Sequence, residues 1–519
     1  MTQIMTPSVA YIFLICFAAV MIILTTSASR GHVWKSAEGF MAAGRRVPWW
    51  IGAISIAVTW IWAPALFVSV QQSYENGIPG ILWFTAPNIL SLIIIAPLAV
   101  RIRRELPGGY SQPEWIRYRF DKKTQRLFLI PFFWYQVMAV TVQLYAGGNI
   151  FSLLTGARIE YVMAILALTT LTYSVISGMR ASIVTDFLQY GLMLAAAVIV
   201  IPWTISSAGG WSAIAGGLGG VTGNHRSVFD AQVAFNFGIV TTIGLLSGSL
   251  SDQQHWQRAF SIEKRGLVRA YVLSGVLFGV VPIVVSLLGF VAANPASGIS
   301  LPAGVDPSMV GVIAVSHFLP KWAVGAFIVM LLGGLCSTLD SGMCAASALY
   351  AGNVLQLRPA EQVVRDKERL GVDLTAEERG VQRQLDHKIV SRGRMAMVGI
   401  TIVGAAVALG VLYIPGFGLQ YLWWVFNTVA ACVAVPIVLS LYWNRLGSTG
   451  VFWGVVIAFF VGIPLFVYSN IKGLIWLTVA SSLGIVAVTT VFCLMFPRAE
   501  PFRMVADIPE GVEAKRGHD

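Results

Sequence analysis

The chain has 519 residues, of which 56% are hydrophobic and 11% charged, and its mean hydropathy is +0.74. A soluble domain has about 25% charged residues, so this composition excludes a soluble globular enzyme, and continuous apolar runs exclude the alternating pattern of a β-barrel. The net charge of +11 does not predict a nucleic-acid partner, because the basic residues lie in loops on one side of the predicted membrane, where they orient the protein.

Apolar runs of membrane-spanning length follow one another along the chain and predict an all-α polytopic membrane protein with about thirteen transmembrane helices. Their approximate bounds are 8–27, 49–71, 80–100, 128–154, 160–178, 183–203, 233–260, 267–293, 320–355, 393–413, 418–441, 450–468 and 474–496. We expect a single transmembrane domain over 1–496. The helices outside its core would be 8–27, 450–468 and 474–496.

Lysine and arginine predict the orientation of these helices. One set of loops holds most of the basic residues, including the cluster at 101–126. Cytoplasmic loops carry this excess, so we expect the N-terminus outside and the C-terminus inside. The charged loop 357–392 and the tail 497–519 are then cytoplasmic. The Glu/Lys/Arg pattern of the loop predicts one or two surface helices, either as a solvated connector or as an element that binds a partner.

Two predicted spans are interrupted. The run 49–71 contains Thr59 and Pro64, and the run 233–260 contains the polar segment 248–255. Backbone that leaves the helix at membrane depth lines a cavity or binds a ligand. The interruptions lie five spans apart, so about 49–203 and 233–441 could be inverted repeats. Such a pair of broken helices points to a midplane binding site in a secondary transporter.

A further polar run, GLCSTLDSG at 334–342, lies inside an apolar stretch from about 322 to 354. Hydroxyls and a carboxylate are costly at this depth unless they have a function. Ser337 and Thr338 offer hard oxygen ligands, which suit a small cation such as sodium. The alternative for such a pair is a hydrogen bond to a carbonyl one turn earlier, or a contact between helices.

Four segments, in order along the chain, resemble motifs of the sodium:solute symporter family. They are QLYAGG at 143–148, SGMRA with TDFLQ at 177–189, QRA at 257–259 and STLDS at 337–341. This family includes proline and sugar symporters. The segments TWIWA at 59–63 and DQQHWQR at 252–258 are also similar to its urea active transporter branch. The resemblance covers nearly the whole chain and implies a LeuT-like core of two inverted five-helix repeats.

The resemblance implies a sodium site between the first and eighth core helices. Its five oxygens would be the carbonyls of Ile54, Ala57 and Gly334 and the hydroxyls of Ser337 and Thr338. Neutral ligands around a single charge make a weak site, which lets a transported ion leave again.

Some family members hold another sodium, and the resemblance implies a second site built from Asp186, Ser337, Asp340 and Ser341. In the other interpretation, Asp186 forms an ion pair with Arg180 or a neighbouring basic residue. We interpret Arg258, near the cytoplasmic face, as a gate or a loop anchor that bonds helix C-terminal carbonyls.

The resemblance also places a substrate beside the two broken helices. The candidate residues are Thr59, Trp60, Trp62, Gln143, Asp252, Gln254, His255, Trp424 and Asn427. Aromatic walls with a few polar groups suit a small solute, and an ionised Asp252 favours a ligand rich in donors, such as urea or an amine. For each aromatic residue the alternative is membrane packing, and His255 could be a packed or gating residue instead of a proton carrier.

We therefore expect a sodium-coupled secondary active symporter, not an enzyme, that takes up a small polar solute by alternating access. It would lie in the cell membrane, as a multi-pass protein of a bacterial inner membrane, and a monomer would be sufficient. The alternatives are proton coupling in the same fold through Asp340, Asp186 or His255, and a carboxylate or sugar substrate. A channel would need a continuous polar lining, whereas these polar residues cluster at mid-membrane.

Overall fold

The computed structural model describes residues 5–28, 36–414 and 418–504, so residues 505–519 of the predicted tail lie outside the described part. Within it, β structure is limited to two isolated bridges, Val47–Ile262 and Leu446–Pro497. The first eleven α-helices are α1 (Pro7–Ala28), α2 (Ala37–Ala42), α3 (Trp49–Trp60), α4 (Ala63–Leu66), α5 (Val68–Glu105), α6 (Gln112–Arg119), α7 (Lys122–Thr155), α8 (Ile159–Ser177), α9 (Met179–Ser207), α10 (Trp211–Gly217) and α11 (Ala231–Val233). The remaining eleven are α12 (Ile239–Ser251), α13 (Gln253–Ser261), α14 (Leu267–Ala293), α15 (Val310–Phe318), α16 (Lys321–Leu349), α17 (Pro359–Leu370), α18 (Ala376–Val411), α19 (Leu419–Tyr442), α20 (Ser448–Ile457), α21 (Ile463–Ile471) and α22 (Ile475–Met495).

The all-α membrane class predicted from hydropathy is confirmed. Twelve helical stretches in the described residues are long and apolar enough to cross a membrane. The interrupted segment α3–α4 is shorter and comes in addition to them. The count of thirteen spans and the orientation of the chain stay predictions.

Helix α16 lies at the centre of the molecule. It packs against α3, α7, α8, α9 and α18, and every residue from Met330 to Leu349 is buried. By contrast, α1 and α22 are mostly exposed at the periphery. The polar run 334–342 therefore faces other helices rather than lipid, which is where hydroxyls and carboxylates in a membrane segment are expected.

The first predicted interruption separates α3 from α4. Pro64 lies in the first turn of α4, where its missing N–H is tolerated, and its ring would clash with the carbonyl of Trp60 in a continuous helix. Helix α3 accordingly ends at Trp60, and the Ile61 N–H turns back to the Val58 carbonyl at 3.0 Å. The start of α4 is completed by Gln143, whose Oε1 accepts the Ala63 N–H at 2.9 Å.

The second predicted interruption separates α12 from α13. Asp252 has an extended backbone, with φ −82° and ψ 109°, and caps α13 by accepting the Gln254 N–H at 2.9 Å. An aspartate at this position satisfies a backbone donor that the helix start leaves free. Both predicted helix breaks are thus present, and each has a side chain that compensates the lost backbone bonds.

The charged segment after α16 folds onto the body of the protein. Glu114 of α6 is buried and accepts hydrogen bonds from Arg365 at 3.2 Å and Arg369 at 3.0 Å, both on α17. The Arg365 guanidinium also lies over the Tyr110 ring, 3.9 Å from its centre. Burial alone would lower the pKa of Arg365, but the neighbouring carboxylate of Glu114 raises it above its ordinary value. We refer to Glu114, Tyr110, Arg365 and Arg369 as the α17 contact.

Candidate functional site

The hydroxyl of Ser337 on α16 faces the C-terminal end of α3. Its Oγ lies 2.8 Å from the carbonyl of Gly334, one turn earlier, and 3.4 Å from the carbonyl of Val58. The first contact is the local bond that serine commonly makes in a membrane helix. The second joins α16 to the segment where α3 ends, so Ser337 makes both of the contacts that the sequence offered as alternatives to ion binding.

Thr338 extends this arrangement into the break itself. Its Oγ1 lies 3.4 Å from the carbonyls of both Thr59 and Ile61 and 3.5 Å from that of Gly334. These distances exceed the usual 2.5 to 3.0 Å or so for a hydroxyl donor. Carbonyl oxygens from the α3 break and from α16 therefore lie around one hydroxyl, and hydroxyl and carbonyl oxygens are the ligands that hard cations prefer.

The predicted carbonyl ligands Ile54 and Ala57 lie earlier in α3 than the carbonyls that the hydroxyl pair approaches. The approached carbonyls belong to Val58, Thr59 and Ile61. Pro64 could have indicated these carbonyls from the sequence, because a proline ends the preceding helix near the residue four positions before it.

A buried polar cluster lies beside the hydroxyl pair and centres on Arg258 of α13. The Arg258 guanidinium pairs with Asp186 of α9 at 2.9 Å and donates to Ser55 at 2.9 Å and to Ser341 at 2.8 Å. Ser55 in turn donates to Asp186 at 2.6 Å. All four side chains are fully buried. Arg258 therefore joins α3, α9, α13 and α16 at one point, and it is Arg258 rather than Arg180 that pairs with Asp186.

The second carboxylate of this cluster is Asp340. It accepts hydrogen bonds from Ser182 at 2.7 Å, from Thr185 at 3.1 Å and from Ser341 at 3.3 Å. Ser341 also shares a 3.2 Å hydrogen bond with Thr59, which connects the cluster to the α3 break. We define the interior cluster as Ser55, Ser182, Thr185, Asp186, Arg258, Asp340 and Ser341. It contains two carboxylates, one guanidinium and four hydroxyls.

The two broken helices also meet at an aromatic chamber. Trp62 stacks on Phe426 with ring centres 5.0 Å apart and meets Tyr135 edge-on at 5.3 Å. Trp60 lies 4.8 Å from the His255 ring. The pocket within these rings has a free volume of about 10 Å³, roughly what a single water molecule requires. In this conformation the chamber is closed around its own side chains.

Polar groups at the edge of the chamber are held by one another. Gln136 donates to Asp252 at 3.2 Å, and the Tyr135 hydroxyl donates to Asn427 at 3.1 Å. Trp60 donates its ring N–H to Asn88 at 2.8 Å.

Several buried polar atoms in this region have no hydrogen-bond partner among the described residues. Buried polar groups are nearly always satisfied, so a cluster of exceptions indicates a place for a ligand or for water. These atoms are Trp62 Nε1, Gln136 Oε1, Gln143 Nε2, Asp252 Oδ2, both amide atoms of Gln254 and both ring nitrogens of His255.

Most of the predicted substrate residues lie in or near the chamber, and two lie elsewhere. Thr59 belongs to the link between α3 and the interior cluster. Trp424 donates to Thr241 at 3.2 Å and packs near Phe237, whereas its neighbour Trp423 lines the chamber.

Sequence reasoning missed several chamber residues, among them Asn88, Tyr135, Gln136, Trp423 and Phe426. Helical spacing offered a signal for some of them. Gln136 precedes Gln143 by seven residues, and Trp423 precedes Asn427 by four, so each pair shares one helix face.

A larger pocket, with a volume of about 730 Å³, opens at the end of the molecule opposite α17. Helix α18 begins beside α17 and ends at Val411, which lines this pocket together with Gln71, Tyr145, Asp306 and Gln420. Asp306 is fixed there because it accepts the backbone N–H of Leu419 at 2.9 Å. By the charge pattern of the loops, this end is the predicted outside.

Comparisons with known proteins agree with this geometry. The family model of the sodium:solute symporter family matches residues 40–458. Similar proteins include the urea active transporter of Saccharomyces cerevisiae, 21% identical over 81% of this chain and 57% of that protein. Another is the sodium/glucose cotransporter of Vibrio parahaemolyticus, 25% identical over 83% of this chain and 80% of that protein. A urea-proton symporter of Oryza sativa is 21% identical over 92% of this chain and 66% of that protein.

The fold is similar to that of a solved Na⁺-coupled sialic acid symporter in a substrate-bound, outward-open state. The two superpose with a TM-score of 0.71 at 16% identity, over 95% of this chain and 98% of that one. The chain spans about half to two thirds of the length of the urea transporters that it matches.

Proposed function

Because the chain belongs to the sodium:solute symporter family, we propose that it couples the inward movement of sodium to the uptake of a small, hydrogen-bond-rich solute such as urea. The observation that carries this proposal is the meeting of the α16 hydroxyl pair with the end of α3. Thr338 Oγ1 lies 3.4 Å from two carbonyls of the interrupted segment. Oxygens from two separate helices then surround the space that a cation would occupy.

Coupling follows from the position of this space. A cation held by Ser337, Thr338 and the end of α3 would draw α16 and α3 together and so stabilise one arrangement of the two helices. The same α3 segment supplies Trp60 and Trp62 to the chamber, so ordering it would also order the substrate site. By linkage, each ligand raises the affinity for the other by the same factor. The membrane potential adds about 2.3 kcal/mol per charge per 100 mV.

The chamber supports a small solute rich in donors and acceptors. Its walls are aromatic, and its unpartnered atoms include acceptors on Gln136 and Asp252 and donors on Trp62 and Gln143. Urea offers four N–H donors and one carbonyl acceptor in a plane, which matches this mixed set between rings. Several of the similar proteins are named as urea transporters, which favours urea over a sugar. The protein would act in the cell membrane, with the 730 Å³ pocket facing outward.

Proton coupling is the second candidate, and one observation favours it. Asp340 is fully buried, accepts hydrogen bonds from the hydroxyls of Ser182, Thr185 and Ser341, and has no ion pair with a basic side chain among the described residues. A carboxylate in such a setting can carry a proton. One similar protein is named as a urea-proton symporter.

The test is uptake of radiolabelled urea into proteoliposomes that contain the purified protein, with sodium or choline outside. We expect uptake to need sodium, and the Ser337→Ala/Thr338→Ala variant to lose the sodium dependence while it remains folded. The matched control is Thr169→Ala/Thr170→Ala, an adjacent pair whose hydroxyls bond back to Ile165 and Leu166 within α8.

Two results would refute sodium coupling through this site. One is full sodium-dependent uptake by the Ser337→Ala/Thr338→Ala variant. The other is wild-type uptake in choline that rises as the outside pH is lowered, which would favour the proton alternative. If urea is not taken up, the same preparation tested with amines, proline, carboxylates and sugars identifies the substrate class.

A further inference from the structure

A groove at the start of α3 and α9 has no part in the ion or substrate sites. It lies on the same end of the molecule as α17, has a volume of about 440 Å³, and is lined mainly by apolar side chains. Trp50 and Phe187 form its rim, with ring centres 6.2 Å apart and exposures of 47% and 46%. Large exposed aromatic rings at the end of a membrane helix are typical of the lipid–water interface.

Two arginines line the same groove, Arg46 before α3 and Arg180 in the first turn of α9. In the described part of the chain, neither guanidinium has a hydrogen bond or an ion pair with another side chain. The acidic residue nearest to Arg46 in sequence, Glu38, pairs with Arg45 at 3.4 Å, and the one nearest to Arg180, Asp186, pairs with Arg258 at 2.9 Å. The groove therefore combines an apolar wall with two free positive charges at one end.

We propose that this groove binds an anionic phospholipid of the cytoplasmic leaflet. The phosphate would lie between Arg46 and Arg180, since guanidinium groups bind phosphate oxygens in pairs. An acyl chain would lie along Ile51, Val184 and Leu188. Basic pockets between transmembrane helices on the cytoplasmic side are suited to acidic headgroups, and the predicted orientation puts both arginines on that side.

The position of the groove gives the lipid a consequence for transport. Helix α3 runs from the groove to the carbonyls that face Ser337 and Thr338. Helix α9 carries Arg180 in the groove and, less than two turns later, Asp186 in the interior cluster. A lipid that bridges the two helix starts would favour the conformations in which they stay together, because it binds those conformations more tightly. This effect on uptake rests on the proposed transport function, whereas binding of the lipid does not.

The experiment measures retained lipid by native mass spectrometry of the purified full-length protein, titrated with phosphatidylglycerol or phosphatidylcholine. We expect phosphatidylglycerol to bind more tightly, and the Arg46→Gln/Arg180→Gln variant to bind it roughly 30-fold more weakly, since each arginine near a membrane surface contributes about fivefold. The matched control is Arg265→Gln/Arg269→Gln, two exposed arginines at the start of α14 outside the groove. We expect this control to bind like the wild type.

Arg46→Gln alone keeps the test valid if the double variant fails to fold, because Arg46 is exposed. A roughly fivefold loss in this single variant supports the proposal. Millimolar glycerol 3-phosphate should not displace the lipid, because the acyl chain contributes to binding. Equal binding of the two lipids, equal loss in the control pair, or displacement by the soluble phosphate would each overturn the proposal. Urea uptake is measured separately, so its failure leaves the binding result intact.

Discussion

Two buried clusters in this protein pair arginine with carboxylates, and they differ in how completely the charges are paired. The interior cluster has two carboxylates, Asp186 and Asp340, and one guanidinium, Arg258. In the α17 contact Glu114 accepts from both Arg365 and Arg369, and each arginine also pairs with a carboxylate of its own helix, Glu368 at 3.4 Å and Asp366 at 3.1 Å.

The two clusters also differ in how firmly the surrounding groups hold the charged side chains. Around Asp340 the partners are the small hydroxyls of Ser182, Thr185 and Ser341, which can turn from one acceptor to another. Around the α17 contact, Arg365 stacks on Tyr110 and Arg369 donates to the Gly352 carbonyl at 3.0 Å. An excess of negative charge among hydroxyls suits a cation that enters and leaves. Charges that are fully paired and fixed to rings and backbone suit a permanent contact.

The largest expected effect tests whether Arg258 and Asp186 of the interior cluster depend on each other for their contribution to stability. Arg258→Gln leaves Asp186 buried without its partner, and we expect it to lower the free energy of unfolding in detergent by about 3 to 5 kcal/mol. Adding Asp186→Asn removes the stranded charge, so the double variant should recover most of the lost stability. Chemical denaturation of the wild type, both single variants and the double variant measures this cycle. Losses that simply add would contradict the coupling.

The next largest effect concerns the α17 contact. Glu114→Gln removes the charge shared by Arg365 and Arg369, and we expect a local loss of about 1.5 to 3 kcal/mol. Because α17 can open without global unfolding, the measurement is hydrogen exchange of residues 359–370, which should speed up while α16 stays protected. Glu377→Gln, an exposed acidic residue in the first turn of α18, is the control and should leave exchange unchanged. Loss of sodium-dependent uptake in Glu114→Gln would show that this contact is not merely structural.

A third prediction concerns the chamber next to the interior cluster. A Cβ added at Gly248 would overlap Asn427 Oδ1 and lie 2.7 Å from the Tyr135 hydroxyl. Gly248→Ala should therefore force these two side chains apart, at a cost of about 1 to 3 kcal/mol, and weaken uptake. Gly399→Ala in α18 is the control, since its Cβ meets no atom within 4 Å. It should be neutral or stabilise the helix. An equal effect of the two variants would rule out a special role of the chamber wall.

The smallest expected effect compares a serine of the interior cluster with a serine next to the α17 contact. Ser55 donates to Asp186 at 2.6 Å, and Ser111 accepts from Asn353 at 2.8 Å beside Glu114. Each serine-to-alanine change should cost about 1 kcal/mol of stability. Only Ser55→Ala should shift the sodium concentration that gives half-maximal uptake, because only Ser55 belongs to the cluster beside the ion space. A shift of the same size in Ser111→Ala would remove this distinction between the clusters.

The helical membrane class, the positions of the two helix breaks and the burial of the polar run on α16 could all be predicted from the amino-acid sequence. These follow from local properties: the length of apolar runs, the geometry of Pro64, and the cost of polar groups in lipid. The resemblance to family motifs additionally predicted that α3 and α16 lie next to each other.

Which side chains meet could not be predicted in this way, because it depends on the packing of the helices. Asp186 pairs with Arg258, 72 positions away, rather than with nearby Arg180, and Trp423 rather than Trp424 lines the chamber. Adjacent residues on a helix point about 100° apart, so the facing residue depends on how each helix is rotated against its neighbours. That rotation results from packing over the whole interface. No local pattern along the chain specifies it.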